Sequence, residues 1–125
     1  MVWVKVCGIT STNEALTIAD LGPDVLGFIL STDSRRRISL AGAESIIAQV
    51  RKSYGSRSPG MVGVFVNEPV SYIYQAIENL ALDMVQLSGN EDIDYIKDVK
   101  KTGVAVIKAI ACKPMTDVGG YYCRY

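Results

Sequence analysis

Histidine is absent from the 125-residue sequence, and cysteine occurs only three times, as Cys7, Cys112 and Cys123. Without histidine, any general acid or base must be a cysteine, carboxylate, lysine or tyrosine side chain. The odd number of cysteines and their unrelated spacing match neither a disulfide framework nor a zinc-binding pattern. We therefore expect a reducing, cytoplasmic compartment and no bound metal.

Long apolar runs and an excess of charge of one sign are also missing. No apolar run approaches the ~20 residues of a membrane span, and the N-terminal residues lack the layout of a signal peptide. The 13 basic side chains balance the 13 acidic ones, although three arginines are consecutive at 35–37. This balance indicates neither a nucleic acid nor an acidic membrane surface, so we expect no nucleic-acid partner and no membrane partner.

Apolar strands alternate with amphipathic helices along most of the chain. Strands that are apolar almost throughout are typical of a parallel sheet covered by helices. The periodicity predicts strands at 2–7, 24–30, 61–66, 83–87 and 103–110, with helices at 12–21 and at 40–52, the second of which has Ser39 as its N-cap. A third helix is predicted with Pro69 in its first turn, and a fourth that starts with Glu91, Asp92 and Asp94. Residues 111–125 break the pattern. We expect an irregular end or a cut-off fifth helix there, within a single domain of residues 1–125.

The first predicted strand carries a single thiol, Cys7, at its carboxyl end. Gly8 follows, and Ser11 and Glu14 have the spacing of a capping box, which predicts the start of a helix. In α/β folds, this end of a strand is where chemistry takes place. Cys7 is therefore a candidate nucleophile or proton carrier. The alternative is a small buried apolar residue, because free cysteines are among the most buried residues.

Two architectures accept five β/α units in a chain of this length. One is a complete doubly wound domain such as a phosphoacceptor receiver, and the other is part of a (β/α)8 TIM barrel, which needs ~200 residues or more to close. A receiver requires an acidic pair after its first strand and an aspartate at the end of its third. This chain has Cys7-Gly8 and Asn67-Glu68 at those places, and only Lys108 fits a receiver. The sequence therefore favours part of a barrel.

Six segments, taken in order, resemble phosphoribosylanthranilate isomerase, the β/α-barrel enzyme of tryptophan biosynthesis. They are Lys5–Thr10, Leu26–Phe28, Ser34–Ser39, Val62–Asn67, Val85–Glu91 and Val106–Ile110. Each segment alone is weakly specific, but together they fall at successive strand ends. The resemblance covers residues 2 to about 110 and implies the N-terminal part of that barrel, with a truncated chain of about five β/α units.

The resemblance implies an Amadori rearrangement without metal or organic cofactor. In this family, N-(5-phosphoribosyl)anthranilate is converted to its 1-deoxyribulose isomer, so a small phosphosugar-anthranilate is the expected ligand. The resemblance makes Cys7 the general base and Arg36 the residue that holds the anthranilate carboxylate. Lys5 and Gln86 are further candidates for the substrate site, and Lys5 points the same way as Cys7 along the strand. We expect a structural role for Asn67.

The chain also departs from the family pattern. Ser88 stands where the family commonly has histidine, and Thr32 and Leu40 stand where it commonly has proline. The resemblance places the general acid, an aspartate, after strand six and the phosphate-binding turns after strands seven and eight. None of these is present in residues 1–125, and Asp117 lies too early to serve as the acid.

Three readings follow from these departures. The first is an isomerase of which this chain is a fragment, inactive alone and prone to self-association through open sheet edges. The second is a catalytically silent half-barrel with a structural or binding role. The third, another phosphate-binding barrel epimerase, is disfavoured by the segments Cys7–Thr10 and Arg37–Ser39.

Overall fold

Five parallel strands alternate with four helices in the computed structural model, which describes residues 1–31 and 33–111. The elements, in chain order, are β1 (Lys5–Cys7), α1 (Thr12–Ala19), β2 (Val25–Ile29), α2 (Leu40–Tyr54), β3 (Gly60–Phe65), α3 (Val70–Leu80), β4 (Met84–Leu87), α4 (Ile93–Lys100) and β5 (Ala105–Lys108). A single 3₁₀ turn, Gly55–Arg57, follows α2. The irregular end predicted for the chain lies outside the described residues from position 112 onward, and so do Cys112, Asp117 and Cys123.

The strands lie in the sheet in the same order as in the sequence, β1-β2-β3-β4-β5, and all four pairings are parallel. A doubly wound receiver has the order 2-1-3-4-5 instead, because its chain reverses direction across the sheet. Sequential order is that of a barrel wall, in which each helix leads to the next strand on the same side. The order confirms the predicted architecture and excludes the receiver.

Local side-chain caps explain where the helices begin. Ser11 accepts a hydrogen bond from the Glu14 amide, and Ser39 accepts one from the Gly42 amide, as the sequence predicts. Pro69 precedes α3 at its N-cap position and does not lie in its first turn, which is a small correction. None of the helices in the described ranges is long and apolar enough to cross a membrane.

The first strand is shorter than the sequence predicts. The prediction was a buried strand at 2–7, but β1 comprises only Lys5–Cys7, and Val2, Trp3 and Val4 are exposed at 82%, 51% and 44%. β1 comprises the residues that pair with Val25–Gly27 of β2, and residues 2–4 lie before that pairing. The fifth strand is also shorter than predicted, because it comprises only the four residues that pair with Met84–Leu87 of β4.

The hydrophobic core fills the space between one face of the sheet and the helices. Its buried side chains from the strands include Leu26, Phe28, Met61, Phe65, Val85 and Leu87, and those from the helices include Ala15, Ala43, Ile46, Ile47, Val50, Ile73 and Val99. Because successive side chains of a strand point to opposite faces, the intervening residues lie on the other, inner face. Lys5, Cys7, Gly27 and Gln86 lie on that inner face, where their side chains or side-chain positions meet.

Candidate active site

Cys7 ends β1 as a half-buried free thiol. The next two backbone amides, of Gly8 and Ile9, both donate to the Gly27 carbonyl oxygen at 2.9 and 3.1 Å, which fixes the chain to β2 as it leaves the sheet. Gly27 leaves room for the thiol, because any larger residue would have a Cβ only 2.8 Å from Cys7 Sγ. The thiol therefore occupies space that only a glycine leaves, and it is not the fully buried apolar residue that was the alternative.

Arg36 lies in the loop between β2 and α2 and reaches back to the end of β1. Its Nη1 donates to the Cys7 carbonyl oxygen at 3.0 Å. The guanidinium crosses Gly8 so closely that a Cβ on Gly8 would lie 2.5 Å from Nη1 and 2.8 Å from Cζ. Gly8 also has a φ of +91°, which glycine adopts without strain. The structure thus brings together Cys7, the predicted base, and Arg36, the residue predicted to bind the substrate carboxylate.

Lys5 and Gln86 meet across the inner face of the sheet, although they lie on β1 and β4. Lys5 Nζ donates to Gln86 Oε1, and Gln86 Nε2 donates to Ser88 Oγ at 3.1 Å. All three side chains are half-buried. Lys5 also lies beside Cys7, because its Cε is 3.1 Å from the point where a Gly27 Cβ would be. Four of the residues that the sequence singles out, Lys5, Cys7, Arg36 and Gln86, are therefore neighbours.

A buried ion pair at the same edge of the sheet was missed at the sequence level. Lys108 Nζ donates to Glu91 Oε2 at 2.8 Å and to the Gly89 carbonyl oxygen at 2.5 Å, and the two charged side chains are only 11% and 1% exposed. Glu91 Oε1 accepts from the amides of Asn67 and Gly89 at 2.9 and 3.1 Å. The pair therefore ties together the carboxyl ends of β3, β4 and β5.

Burial alone raises the pKa of Glu91, but the hydrogen bonds from Lys108 and from the Asn67 amide outweigh it, so this pKa lies below its ordinary value. The sequence suggests that Glu91 stabilises the start of a helix, together with Asp92 and Asp94. Instead α4 begins at Ile93, with Asp92 as its cap. The sequence contains one signal for this ion pair: Lys108 is a charged residue in an apolar strand, and such a charge requires a partner when it is buried.

Asn67 has the structural role expected of it. Its φ is +51°, a conformation that asparagine tolerates better than most residues. Its Oδ1 accepts from the Asn90 amide at 2.7 Å, and a Cβ on Gly89 would collide with its side chain.

Tyr95 contacts the same loop from α4. Burial is the main reason that the pKa of Tyr95 is raised to about 12, and its hydroxyl donates to the Glu68 carbonyl at 2.5 Å. The loop after β3 is thus held from both ends.

Sequential parallel strands with polar side chains gathered at their carboxyl ends define a protein of the β/α-barrel class. Comparison with known proteins then identifies the family. The family model described as "N-(5'phosphoribosyl)anthranilate (PRA) isomerase" matches residues 4–123, and the chain belongs to this family.

Curated relatives are identical to this chain at more than a third of the aligned positions. The N-(5'-phosphoribosyl)anthranilate isomerase of Geobacter metallireducens is 36% identical over 118 residues, which are 94% of this chain and 54% of the relative. The corresponding protein of Oceanobacillus iheyensis is 39% identical over 107 residues, which are 86% of this chain and 48% of the relative. The chain therefore spans about half the length of the curated relatives it matches.

Solved structures agree with this assignment. Phosphoribosyl anthranilate isomerase from Thermotoga maritima superposes with a TM-score of 0.87 at 33% identity, covering 97% of this chain and 56% of that structure. A structure of the enzyme in complex with reduced 1-(o-carboxyphenylamino)-1-deoxyribulose 5-phosphate superposes with a TM-score of 0.86 at 33% identity, covering 97% of this chain and 59% of that structure. These structures have the barrel fold, and the five described strands match consecutive strands of its wall.

Proposed function

We propose that this chain supplies the first half of a phosphoribosylanthranilate isomerase site, with Cys7 as the general base and Arg36 as the ligand of the anthranilate carboxylate. One observation carries the proposal: Arg36 Nη1 is bonded to the Cys7 carbonyl oxygen, so the thiol and the guanidinium lie at the same strand end. Family membership and the solved complex of a similar enzyme with a reduced product analogue support it. The ligand class is a small phosphosugar bearing an aromatic carboxylate.

The reaction requires an acid and a base. Protonation of the furanose ring oxygen opens the sugar to a Schiff base, and the base then removes the proton at C2. In the proposal the Cys7 thiolate takes that proton, the C2–H electron pair forms the C1–C2 double bond of the enol-amine, and the π pair of the C=N bond moves to the nitrogen. The enol-amine then gains a proton at C1 and loses the proton of its C2 hydroxyl, which gives the ketone. By resemblance, the ring-opening acid and the phosphate-binding turns belong to later strands of the family barrel, beyond the half that this chain matches.

Arg36 is suited to the carboxylate because a guanidinium is planar and always charged. It grips a carboxylate through two parallel hydrogen bonds, a geometry that an ammonium group cannot reproduce. Lys5 and Gln86, on the same inner face, are proposed to form the floor of this site. We further propose that residues 1–125 act as one structural unit of a cytoplasmic protein.

A chimeric barrel tests the proposal. Residues 1–110 are joined to the matching C-terminal part of the Thermotoga maritima enzyme, and consumption of the substrate is followed by the loss of its fluorescence. We expect the chimera to isomerise the substrate, residues 1–125 alone to show no turnover, and Cys7→Ser in the chimera to lose at least about 99% of kcat, since an alcohol is a far poorer base at neutral pH.

The matched control is Ser45→Ala, a change of similar size at an exposed residue of α2. It should keep most of the chimera's activity. Near-normal turnover by the Cys7→Ser chimera would remove Cys7 from the mechanism. A well-folded chimera without activity would contradict the proposal that this chain carries a competent half of the site.

A further inference from the structure

We propose that Gly8 is a positioning residue: it leaves open the path by which the Arg36 guanidinium reaches the Cys7 carbonyl oxygen and is held ready for a carboxylate. The inference rests on the proposed role of Arg36 as the ligand of the anthranilate carboxylate. It goes beyond that role because it explains why the side chain has its orientation before a ligand arrives. Gly8 is assigned no contact with the ligand and acts only through Arg36.

The main chain of Arg36 is fixed to the end of β2. Its amide donates to Ser34 Oγ at 3.2 Å, and the next amide, of Arg37, donates to the Ser34 carbonyl oxygen at 3.2 Å. Arg37 also forms a parallel bridge with Ile29, the last residue of β2, and the Ile38 amide donates to the Ile29 carbonyl oxygen at 2.9 Å. The side chain of Arg36 therefore starts from a defined position, and its direction decides where the guanidinium lies.

The side chain of Arg36 leads from that loop across Gly8 to β1, where Nη1 donates to the Cys7 carbonyl oxygen at 3.0 Å. A Cβ on Gly8 would lie 2.5 Å from Nη1, 2.8 Å from Cζ and 3.1 Å from Cδ, closer than the ~3.5–4.0 Å at which carbon atoms pack. The backbone is held in place here, because the Gly8 and Ile9 amides both donate to the Gly27 carbonyl oxygen. Any side chain at position 8 therefore displaces the guanidinium.

The contact with Cys7 orients the guanidinium without cancelling its charge. A carbonyl oxygen is neutral, whereas a carboxylate in the same place would offset the charge that an anionic ligand needs. Within the described residues, the Cys7 carbonyl oxygen is the only acceptor bonded to the Arg36 side chain, so most of its five N–H groups stay available. Two of them in parallel suit a carboxylate. Because the side chain is exposed yet held, a ligand binds it at a smaller cost in conformational entropy.

The first experiment measures the rate at which phenylglyoxal modifies Arg36 in the 125-residue chain, with tandem mass spectrometry of peptides to resolve each arginine. Arg35, an exposed neighbour in the same loop, is the reference in every sample. In the parent we expect Arg36 to react more slowly than Arg35, because its guanidinium is bonded to Cys7. In Gly8→Ala the ratio of the Arg36 rate to the Arg35 rate should rise about threefold to tenfold, the effect of losing one hydrogen bond.

The matched control is Gly103→Ala, shortly before β5. Gly103 also has a positive φ, of +82°, but outside its two chain neighbours no atom of the described residues lies within 4 Å of the position that its Cβ would take. The variant therefore carries a similar backbone strain without the collision, and its ratio should match that of the parent. Gly8→Asn is the second test, because asparagine tolerates a positive φ better than alanine and still brings a Cβ against Arg36. It should raise the ratio as Gly8→Ala does.

The second experiment is a double-mutant cycle in the active chimera, with KM and kcat measured for each variant. We expect Gly8→Ala to raise KM about tenfold while kcat falls less, because the displaced clamp acts in substrate binding. In an Arg36→Met background the same substitution should change KM less than about twofold, since no guanidinium remains to be displaced. A purely structural effect of Gly8→Ala would instead raise KM by the same factor in both backgrounds. Gly103→Ala should leave both constants near those of the parent chimera.

Circular dichroism establishes which variants are folded. A folded Gly8→Ala or Gly8→Asn chain with the parent's reactivity ratio overturns the proposal, and so does an additive cycle. If neither Gly8 variant folds, the parent chain decides: a slower Arg36 supports the proposal, and equal rates for Arg36 and Arg35 overturn it. An inactive chimera, or an Arg36→Met chimera with an unchanged KM, counts against the proposed isomerase role, and the reactivity measurement in the 125-residue chain is independent of both.

Discussion

Gly8 and Gly27 share one property: a side chain of the proposed site occupies the space where their Cβ would be. Arg36 lies over Gly8, and Cys7 and Lys5 lie over Gly27. A glycine inside a strand costs roughly 0.5–1 kcal/mol relative to alanine, so its presence in β2 needs a reason. At the scale of single residues, that reason is the close approach of the thiol and the lysine stem.

Arg36 offers a test at the same scale. In the active chimera, Arg36→Lys keeps the positive charge but removes the planar pair of donors. We expect KM for the substrate to rise roughly tenfold or more while kcat falls less, because the clamp acts in the bound ground state as well as in the transition state. Steady-state kinetics measures both constants.

Arg35→Lys is the matched control, since Arg35 is an exposed neighbour in the same loop. It should leave both constants near those of the parent chimera. An unchanged KM for Arg36→Lys would show that the carboxylate is held elsewhere.

Single residues also show what could and could not be predicted from the sequence. Cys7 and Arg36 stand in local segments that resemble the family, so hypotheses about their roles follow from the sequence alone, and the structure adds that the two residues are neighbours. The partnership of Glu91 with Lys108 could not, because it joins residues 17 positions apart that belong to different elements. The acidic residues near 91–94 suit a helix start equally well, and local pattern alone does not tell a helix acid from a buried partner.

At the scale of elements, the Glu91–Lys108 pair joins the ends of three strands and fixes the loops between them. Because the pKa of Glu91 is lowered in the folded chain, its carboxylate stabilises the fold fully above the unfolded value near 4.5. That stabilisation is lost as the pH falls from 4.5 through the lower folded pKa. Because the pKa of Glu91 is lowered by folding, we expect acid to weaken this edge of the sheet.

Glu91→Gln tests this contribution through urea or thermal unfolding. At pH 7 we expect a loss of about 3–5 kcal/mol in the free energy of unfolding, because Lys108 is left as an uncompensated buried charge. Between pH 5 and pH 3 the parent should lose more stability than the variant. The matched control is Glu44→Gln, an exposed carboxylate on α2, which should follow the parent at every pH. Parallel pH curves for Glu91→Gln and the parent would contradict the assigned role.

The element boundaries illustrate a second limit of sequence reasoning. Ser11 and Ser39 mark helix starts correctly because capping involves only residues within one turn. The start of β1 was predicted too early, since apolar character at residues 2–4 indicates a strand whether or not a neighbouring strand exists. Sequential strand order likewise depends on which strands pair, which periodicity does not specify.

At the scale of the whole molecule, β1 and β5 each pair on one side only within the described ranges. Next to β1 lies an apolar groove of about 350 Å³, lined by Val4, Val6, Ile18, Leu21, Gly22 and Pro23. Leu21, which lines the groove, is 84% exposed, and Trp3, which precedes the lining residue Val4 in sequence, is 51% exposed. A strand that is paired on one side only, next to exposed apolar side chains, is a surface to which another chain can add.

We therefore expect the purified 125-residue chain to self-associate at micromolar concentration. Covering one large apolar side chain yields ~1.5–3 kcal/mol, and the groove with Trp3 and Leu21 offers several. Light scattering and sedimentation velocity measure the association, and near-UV circular dichroism reports on packing. Val4→Lys places a charge at the edge of β1 and should shift the chain toward monomer, because lysine opposes edge-to-edge pairing. Lys100→Met, on the far side at α4, should not. A monodisperse parent chain with sharp aromatic signals and a cooperative melt would show that the open sheet is stable by itself.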